Sequence, residues 1–295
     1  MCSVPSRWST FVVLAAVVSL GSYWLGHQMT SSEAKATQQA SVLDRVKNSK
    51  KLRCAYWLWP ELIERNPNTG AMSGVFVDLI DKVGEALNAQ VLWESEATMD
   101  DFVTLVDSGK VDAICGPLIP AAFLRPSAKF AAPVLYASFD VYVRSSEARF
   151  NDSRESLNAP GATILSLDGS AARYFATTVF PAAHQNSLPA VLGAGQVLLD
   201  VKDGKADATV SEQLTAGRFL DHNPGSLRQL RWANQPLVTL GVTPFVTKTD
   251  DVVWSSTLNA IIQDLLDFGV VEQVFSKHAL IAGKHYQPIV RPYQQ

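Results

Sequence analysis

The sequence predicts an α/β chain built as two similar lobes, and three observations predict it. A strand–helix–strand unit reads out of residues 51–96. A helix-to-strand junction occurs twice, as LVDSGKVDAICGPL (105–118) and LDVKDGKADATVSEQL (199–214). Apolar residues make up 47% and charged residues 18%, the balance of a packed chain and not of a disordered one. The length of 295 residues suits about two domains of ordinary size.

The chain starts with an export segment. Arg7 precedes an apolar run over residues 8–26 (WSTFVVLAAVVSLGSYWLG). As a helix this run reaches roughly 28 Å, about the thickness of a bilayer's hydrocarbon core. Trp8 at one end and Tyr23 with Trp24 at the other resemble an aromatic belt. Residues 1–28 read as a signal peptide or a membrane anchor; the absence of a clean A-x-A after the run favours the anchor. Cys2 is no lipoprotein cysteine, because no apolar segment precedes it. Residues 29–41 form a polar linker, and a helix begins near Val42 (SVLDRVKNSKK).

The folded region follows. KLRCAYW (51–57) reads as a first strand. GVFVDLIDKVGEALN (74–88) reads as a helix with Val77, Ile80, Val83 and Leu87 on one face. AQVLWESE (89–96) is a second strand, parallel to the first through a right-handed crossover. Each repeated junction has an apolar helical approach, a Gly-Lys break and an Asp-Ala step into a β-like run. Gly109 and Gly204 supply the left-handed residue that ends a helix, and the Asp-Ala step opens a buried strand. Two copies so far apart imply two lobes and no solenoid. ATILSLDGSAARYFA (162–176) reads as strand, turn and helix. TLGVTPFVTK (239–248) precedes two closing helices, the first with Trp254, Leu258, Ile262 and Leu265 as its core stripe.

Composition excludes several functions. Lys plus Arg is 25 and Asp plus Glu is 28, a net charge of −3, which offers no broad basic surface for nucleic acid. Three cysteines are too few for a disulfide scaffold, and five scattered histidines without H-x-x-x-H or C-x-x-C spacing make no metal site. LGAGQVL (192–198) lacks the third glycine of a dinucleotide fingerprint, and no G-x-S-x-G is present. No cofactor, metal or catalytic residue is expected.

Four segments, in order, carry a resemblance. They are LRCAYWLWP with GVFVDLIDKVGEALN; SGKVDAICGPLIP with LRPSAKFAAPVLY; DGSAARYFA with GKADATVSEQLTAGRFL; and LGVTPFVTKTD with LNAIIQDLLDFGVVEQVFSKHAL. Together, over residues 42–280, they resemble the extracytoplasmic solute-binding proteins of amino-acid ABC transporters, family 3, with the type II periplasmic-binding-protein fold. The resemblance implies lobe I at 42–136 and 242–295, lobe II at 137–241, and hinge crossovers near 135–139 and 240–243. A ligand would sit in the cleft and the lobes would close on it. The implied function is capture of an amino acid or similar small carboxylate and its delivery to an ABC permease. The protein would be a periplasmic monomer, tethered to the inner membrane through residues 8–26. Two alternatives share the scaffold: a dehydratase of the cyclohexadienyl type, using Glu212 or Asp168 as acid or base, and a membrane-tethered ligand sensor.

Ligands of open α/β sheets sit beyond the carboxyl ends of strands. That rule selects Tyr56, Trp57 and Trp59 after the first strand, and Gly116, Pro117 and then Arg125 after the first Asp-Ala strand. It also selects Gly169, Ser170 and Ala171 before a helix, and Glu212 after the second Asp-Ala strand. By residue type alone, Arg125 reads as a surface arginine, Glu212 as a solvated helix-start acid, Ser170 as an N-cap and the aromatics as core. The resemblance implies binding roles. Arg125 would clamp a carboxylate bidentately, with backbone N–H groups at Ser170 and Ala171 completing the anion site. Glu212 would pair an ammonium, and the three aromatics would wall the pocket. Two departures stand out: Glu212 replaces the family's usual Asp, and the stretch from Gly116 to Arg125 is slightly long. The family also places the strands of Cys54 and Cys115 side by side. In an oxidising compartment they would either bond, closing a loop worth about 4 kcal/mol in the chain-entropy model, or stay as buried thiols, since neighbouring parallel strands rarely suit disulfide geometry.

Overall fold

The computed structural model describes residues 41–59, 62–97, 102–120, 128–151 and 153–289. The expected anchor at 8–26, Cys2 and Arg125 lie outside the described residues. Among the described residues no helix is long and apolar enough to cross a membrane.

Helix α1 (Val42–Ser49) starts at Ser41, whose hydroxyl accepts from the Asp44 N–H. It leads into β1 (Lys51–Tyr56), the hairpin β2 (Glu64–Arg65) and β3 (Met72–Ser73), α2 (Val75–Ala86), β4 (Gln90–Glu96), α3 (Phe102–Asp107), β5 (Ala113–Leu118) and β6 (Ala128–Phe130). The crossing strand β7 (Leu135–Arg144) opens the second lobe, which continues with α4 (Arg154–Leu157), β8 (Thr163–Leu167), α5 (Ala171–Val179), β9 (His184–Leu188), α6 (Gly193–Lys202), β10 (Ala208–Glu212), α7 (Gln213–His222) and β11 (Leu227–Leu230). The returning strand β12 (Val238–Lys248) is followed by α8 (Val252–Asp267) and α9 (Val270–Lys277).

The sheet explains the sequence repeat. Strands run in the order β4-β1-β5-β12-β7-β10-β8-β9, with β6 added on β12 and β11 on β7. Read outward from the middle, β12-β5-β1-β4 and β7-β10-β8-β9 are the same arrangement: three parallel strands with the first in the centre, closed by one antiparallel strand. The two closing strands pair with each other, Leu135 to Phe139 of β7 lying antiparallel to Val238 to Val242 of β12. Beyond that shared stretch β7 pairs only into the second lobe and β12 only into the first.

The aspartate of each repeated Asp-Ala step has one structural task. The Asp112 carboxylate accepts the Arg53 N–H at 2.7 Å, and the Asp207 carboxylate accepts the Thr163 N–H at 2.8 Å. Each thereby ties the start of a parallel strand to its neighbour. Each also gathers arginines, Arg45 and Arg53 around Asp112 and Arg144 and Arg149 around Asp207. Gly109 and Gly204 precede them with φ of 68° and 82°, the left-handed region where glycine carries no Cβ clash.

Packing follows the periodicity with one correction. Val77, Ile80, Val83 and Leu87 are all buried under the first half of the sheet. On α8 the buried set is Trp254, Leu258, Ile262 and Leu266, not Leu265, which is only partly buried. The helix packs against β12, α2 and α9, and steps of four move its core line by about 40° per step on a 3.6-residue turn. The first strand also stops at Tyr56, one residue short of the expected Trp57. A disulfide joins Cys54 and Cys115 across β1 and β5, with Cα atoms 5.5 Å apart. Cys54 stands opposite Ala113 and Cys115 opposite Tyr56, so the two meet on a diagonal and not side by side.

Candidate functional site

Both lobes direct their strand carboxyl ends toward the paired crossovers, and the candidate residues fall there in three groups. The first is the aromatic run after β1. Tyr56 is a core residue: it is 5% exposed, packs with Ile63 and Val77, and meets Trp93 edge-on at 6.1 Å. As the last residue of β1, its side chain falls on the α2 side of the sheet, so the expectation that it walls a pocket is corrected. Trp57 is half-buried on the opposite side, against the cluster of Ala55, Ile114, Leu118 and Val246. Trp59 is half-buried and starts a tight turn: its N–H donates to Ile63 O at 3.0 Å, and its carbonyl accepts from Leu62 and Ile63. Gly116 and Pro117 lie buried in β5. Gly116 takes φ +144°, and a Cβ there would stand 3.6 Å from the Trp57 carbonyl, so a side chain would strain the backbone where β5 approaches the aromatic loop.

The second group is the turn from β8 into α5. Gly169 takes φ +69°. The Ser170 hydroxyl accepts from the Arg173 N–H at 3.1 Å and donates to Leu167 O at 2.9 Å, so Ser170 is the N-cap of α5. Its backbone N–H points back to Leu167 O at 3.3 Å, a turn contact that diverts it from the role of anion donor expected of it. Ala171 is the first helical residue, at the end where backbone N–H groups face outward.

The third group is Glu212. It ends β10 and caps α7, accepting from the Leu214 and Thr215 N–H groups at 2.7 Å each and from the Thr215 hydroxyl. At 8% exposure it is a buried acid, not the solvated one its residue type suggests. These N–H groups belong to the first turn of α7, at the positive end of the helix dipole.

A small cavity at the crossovers brings Trp59 of the first group and Glu212 of the third to one wall; no residue of the β8–α5 turn lines it. Trp59 and Leu62 line it from the first lobe, Leu135 and Val242 from β7 and β12, Glu212 and Leu214 from the second lobe. Its free volume of about 20 Å³ is on the scale of one water. Nothing larger than a water fits it as it stands. Its remaining wall is His285 with Tyr286 and Leu280, which the sequence reading did not single out. Nothing in residue type or spacing marks them, because they reach the crevice only through the path of the chain after α9.

A second buried acid lies beside the crevice. Asp140, on β7 next to the crossover, is fully buried and receives a bidentate Arg231, at 3.0 Å from Nε and 2.8 Å from Nη2. Burial, with the charges of Asp140 and Glu212, pushes the Tyr142 phenol above its ordinary range, so it stays neutral. Among the described residues no group of three or more His, Cys, Asp or Glu is placed to hold a metal ion.

No protein-family model matches the chain. It is 27% identical over 154 residues to a Campylobacter jejuni protein described as a probable histidine-binding protein, over 52% of this chain and 57% of that one. The match thus spans a little over half the length of that curated relative. Among solved structures, an ancestral cationic amino acid solute-binding protein superposes with TM-score 0.65 at 18% identity, over 80% of this chain and 99% of the other. An amino acid ABC transporter substrate-binding protein from Streptococcus pneumoniae, bound to L-arginine, gives 0.62 at 20% identity over 80% and 97%. The L-cystine solute receptor of Neisseria gonorrhoeae, in an unliganded open conformation, gives 0.62 at 14% over 86% and 100%. With its duplicated strand order and paired crossovers, the chain has the two-lobed α/β fold of the amino-acid solute-binding proteins.

Proposed function

We propose that the protein is an extracytoplasmic solute-binding protein that captures an amino acid between its lobes and delivers it to an ABC permease. The observation that carries this reading is the pair of antiparallel crossovers, β7 and β12, which put the strand carboxyl ends of both lobes around one crevice with a buried, helix-capping carboxylate in it. In this reading lobe I comprises residues 42–136 and 242–295, lobe II comprises 137–241, and the hinge is the stretch where Leu135 to Phe139 pairs with Val238 to Val242. Glu212 pairs the ligand's ammonium, and Trp59 covers its side chain. Arg125, carried over from the sequence resemblance, takes the carboxylate. Residues 8–26 hold the protein at the membrane. The protein performs no chemistry on its ligand.

A thermal-shift screen of the purified chain against the common amino acids and small organic acids tests the reading. A cognate ligand at a hundredfold excess over Kd stabilises the protein by about 2.7 kcal/mol and is recovered intact. Conversion of the ligand would instead establish the dehydratase alternative. Arg125→Ala should abolish the stabilisation while leaving the ligand-free melting temperature unchanged; retained stabilisation would remove Arg125 from the site.

A further inference from the structure

The chain after α9 grips both lobes. At its start it belongs to the first: Lys277 and His278 both reach Asp78 of α2, at 2.6 and 2.9 Å. Leu280 is buried, and Tyr286 packs edge-on against Phe275 of α9 at 5.0 Å. Between these anchors the segment turns at Gly283, with φ +77°, and closes on itself through Gly283 N–H to Tyr286 O at 2.7 Å. The tip of that turn holds α7 of the second lobe. Gln213 donates to Gly283 O at 2.6 Å and accepts from Gln287 at 3.1 Å, while Lys284 reaches Asp221 at 2.6 Å. The segment then pairs with the crossover itself, Tyr136 and Gln287 exchanging two backbone hydrogen bonds of 2.8 Å.

One residue lets the two surfaces sit flush. His285 is 3% exposed, and its ring lies over Gly217, where a Cβ would come within 3.1 Å of Cδ2. Gly217 sits inside α7, where glycine costs about 1 kcal/mol of helix stability relative to alanine. Helix propensity therefore does not explain that glycine, whereas the close approach of His285 does. The ring accepts the Ile281 N–H on Nδ1 at 3.0 Å, which leaves Nε2 as the protonated nitrogen, turned toward Asp221 at 3.7 Å.

We propose that residues 280–287 form a strap, a third connection between the lobes besides β7 and β12, which limits how far α7 swings from the first lobe and so sets the open–closed equilibrium. This rests on the reading of the protein as a two-lobed binder whose lobes move about β7 and β12. Two adjacent antiparallel strands resist separation but bend and twist readily; an off-axis contact restrains that rotation. The strap is also a wall of the crevice, through His285, Tyr286 and Leu280, so its position is coupled to the space available to a ligand.

The test uses the full-length chain in detergent with Cys2→Ser and spin labels at Gln263→Cys on α8 and Thr178→Cys on α5, both exposed. Pulsed electron paramagnetic resonance then reads the distance between lobes without any ligand. Gly217→Ala improves the helix but collides with His285, and it should shift and broaden the distance distribution. Adding His285→Ala should restore the parent distribution. Gln213→Ala with Lys284→Ala, which loosens the grip without a collision and leaves the Arg218 bond to His278 O at 3.3 Å, should broaden it as well, and carries the test if Gly217→Ala fails to fold by circular dichroism. Unchanged distributions in folded variants of both kinds would overturn the strap. An amino-acid titration separates the two readings. Distance shifts without binding of any amino acid would sink the transport reading and leave the strap standing, while binding without shifts would do the reverse.

Discussion

The two lobes repeat one strand order but leave their first strands differently. In the second lobe β8 passes through Asp168, Gly169 and Ser170 straight into α5. In the first lobe the chain between β1 and α2 carries the Trp59–Ile63 turn and the β2–β3 hairpin before it reaches Gly74. One lobe thus leaves its first strand through a serine-capped helix start and the other through an aromatic loop whose Trp59 lines the crevice. Both lobes gather arginines around the aspartate of the repeated step, but the first adds a disulfide across β1 and β5, while the second extends its cluster to Glu147.

Four experiments sharpen or break this comparison. The largest effect belongs to the disulfide. Its cysteines are 61 residues apart, so Cys54→Ala with Cys115→Ala should cost about 4 kcal/mol in the chain-entropy model, read as a lower urea midpoint for the tryptophans of the first lobe. A loss shared equally by Trp232 in the second lobe would show that the lobes unfold as one unit.

The repeated aspartates come next. The Asp112 side chain is 1% exposed and Asp207 17%, so Asp112→Ala should destabilise by about 3 kcal/mol and Asp207→Ala by about 1 kcal/mol in chemical denaturation. Equal losses would mean that burial does not distinguish the two sites.

The turns give a third test. A Cβ on Gly74, at φ +119°, would lie 2.6 Å from Leu62 O, whereas one on Gly169, at φ +69°, meets nothing within 4 Å. Gly74→Ala should therefore lower stability by more than about 2 kcal/mol, and Gly169→Ala by about 1 kcal/mol from backbone strain alone. The reverse order would refute the contrast between a crowded and an open turn.

Acid probes the second lobe at the smallest scale. Hydrogen bonds from Arg149, against the opposing effect of burial, hold Glu147 down from 4.5 to about 2. A carboxyl lowered on folding contributes stability that is whole above its unfolded value and is lost as pH falls through the folded one. The second lobe should accordingly weaken between about pH 4.5 and pH 2, followed by Trp232 fluorescence, and Arg149→Gln should move that decline to higher pH. An unchanged profile in Arg149→Gln would place the loss elsewhere.

Much of the site was legible because it sits at fixed places in a repeated pattern. Of the residues chosen by strand ends and helix starts, Trp59 and Glu212 line the crevice, and their positions follow from period and turn chemistry. Their individual duties were less legible. Tyr56 and Trp57 are adjacent in sequence, yet Tyr56 ends β1 in the core cluster with Ile63 and Val77 while Trp57, just past the strand, packs against the cluster of Ala55 and Ile114. Ser170 is the N-cap its residue type suggests, whereas the burial of Glu212 as a cap of α7 shows only when the lobe packs around it.

The sequence by itself determined the two-lobed α/β plan, the duplicated junction with its glycine and aspartate, and the core faces of the helices, because these depend on periodicity and on backbone conformations that only some residues adopt. Tertiary structure alone decided that Cys54 meets Cys115 on a diagonal, that Asp140 takes Arg231 beside the crevice, and that His285 settles on Gly217. Each of those contacts joins segments distant in the chain, and no local preference encodes which distant surface a side chain will meet.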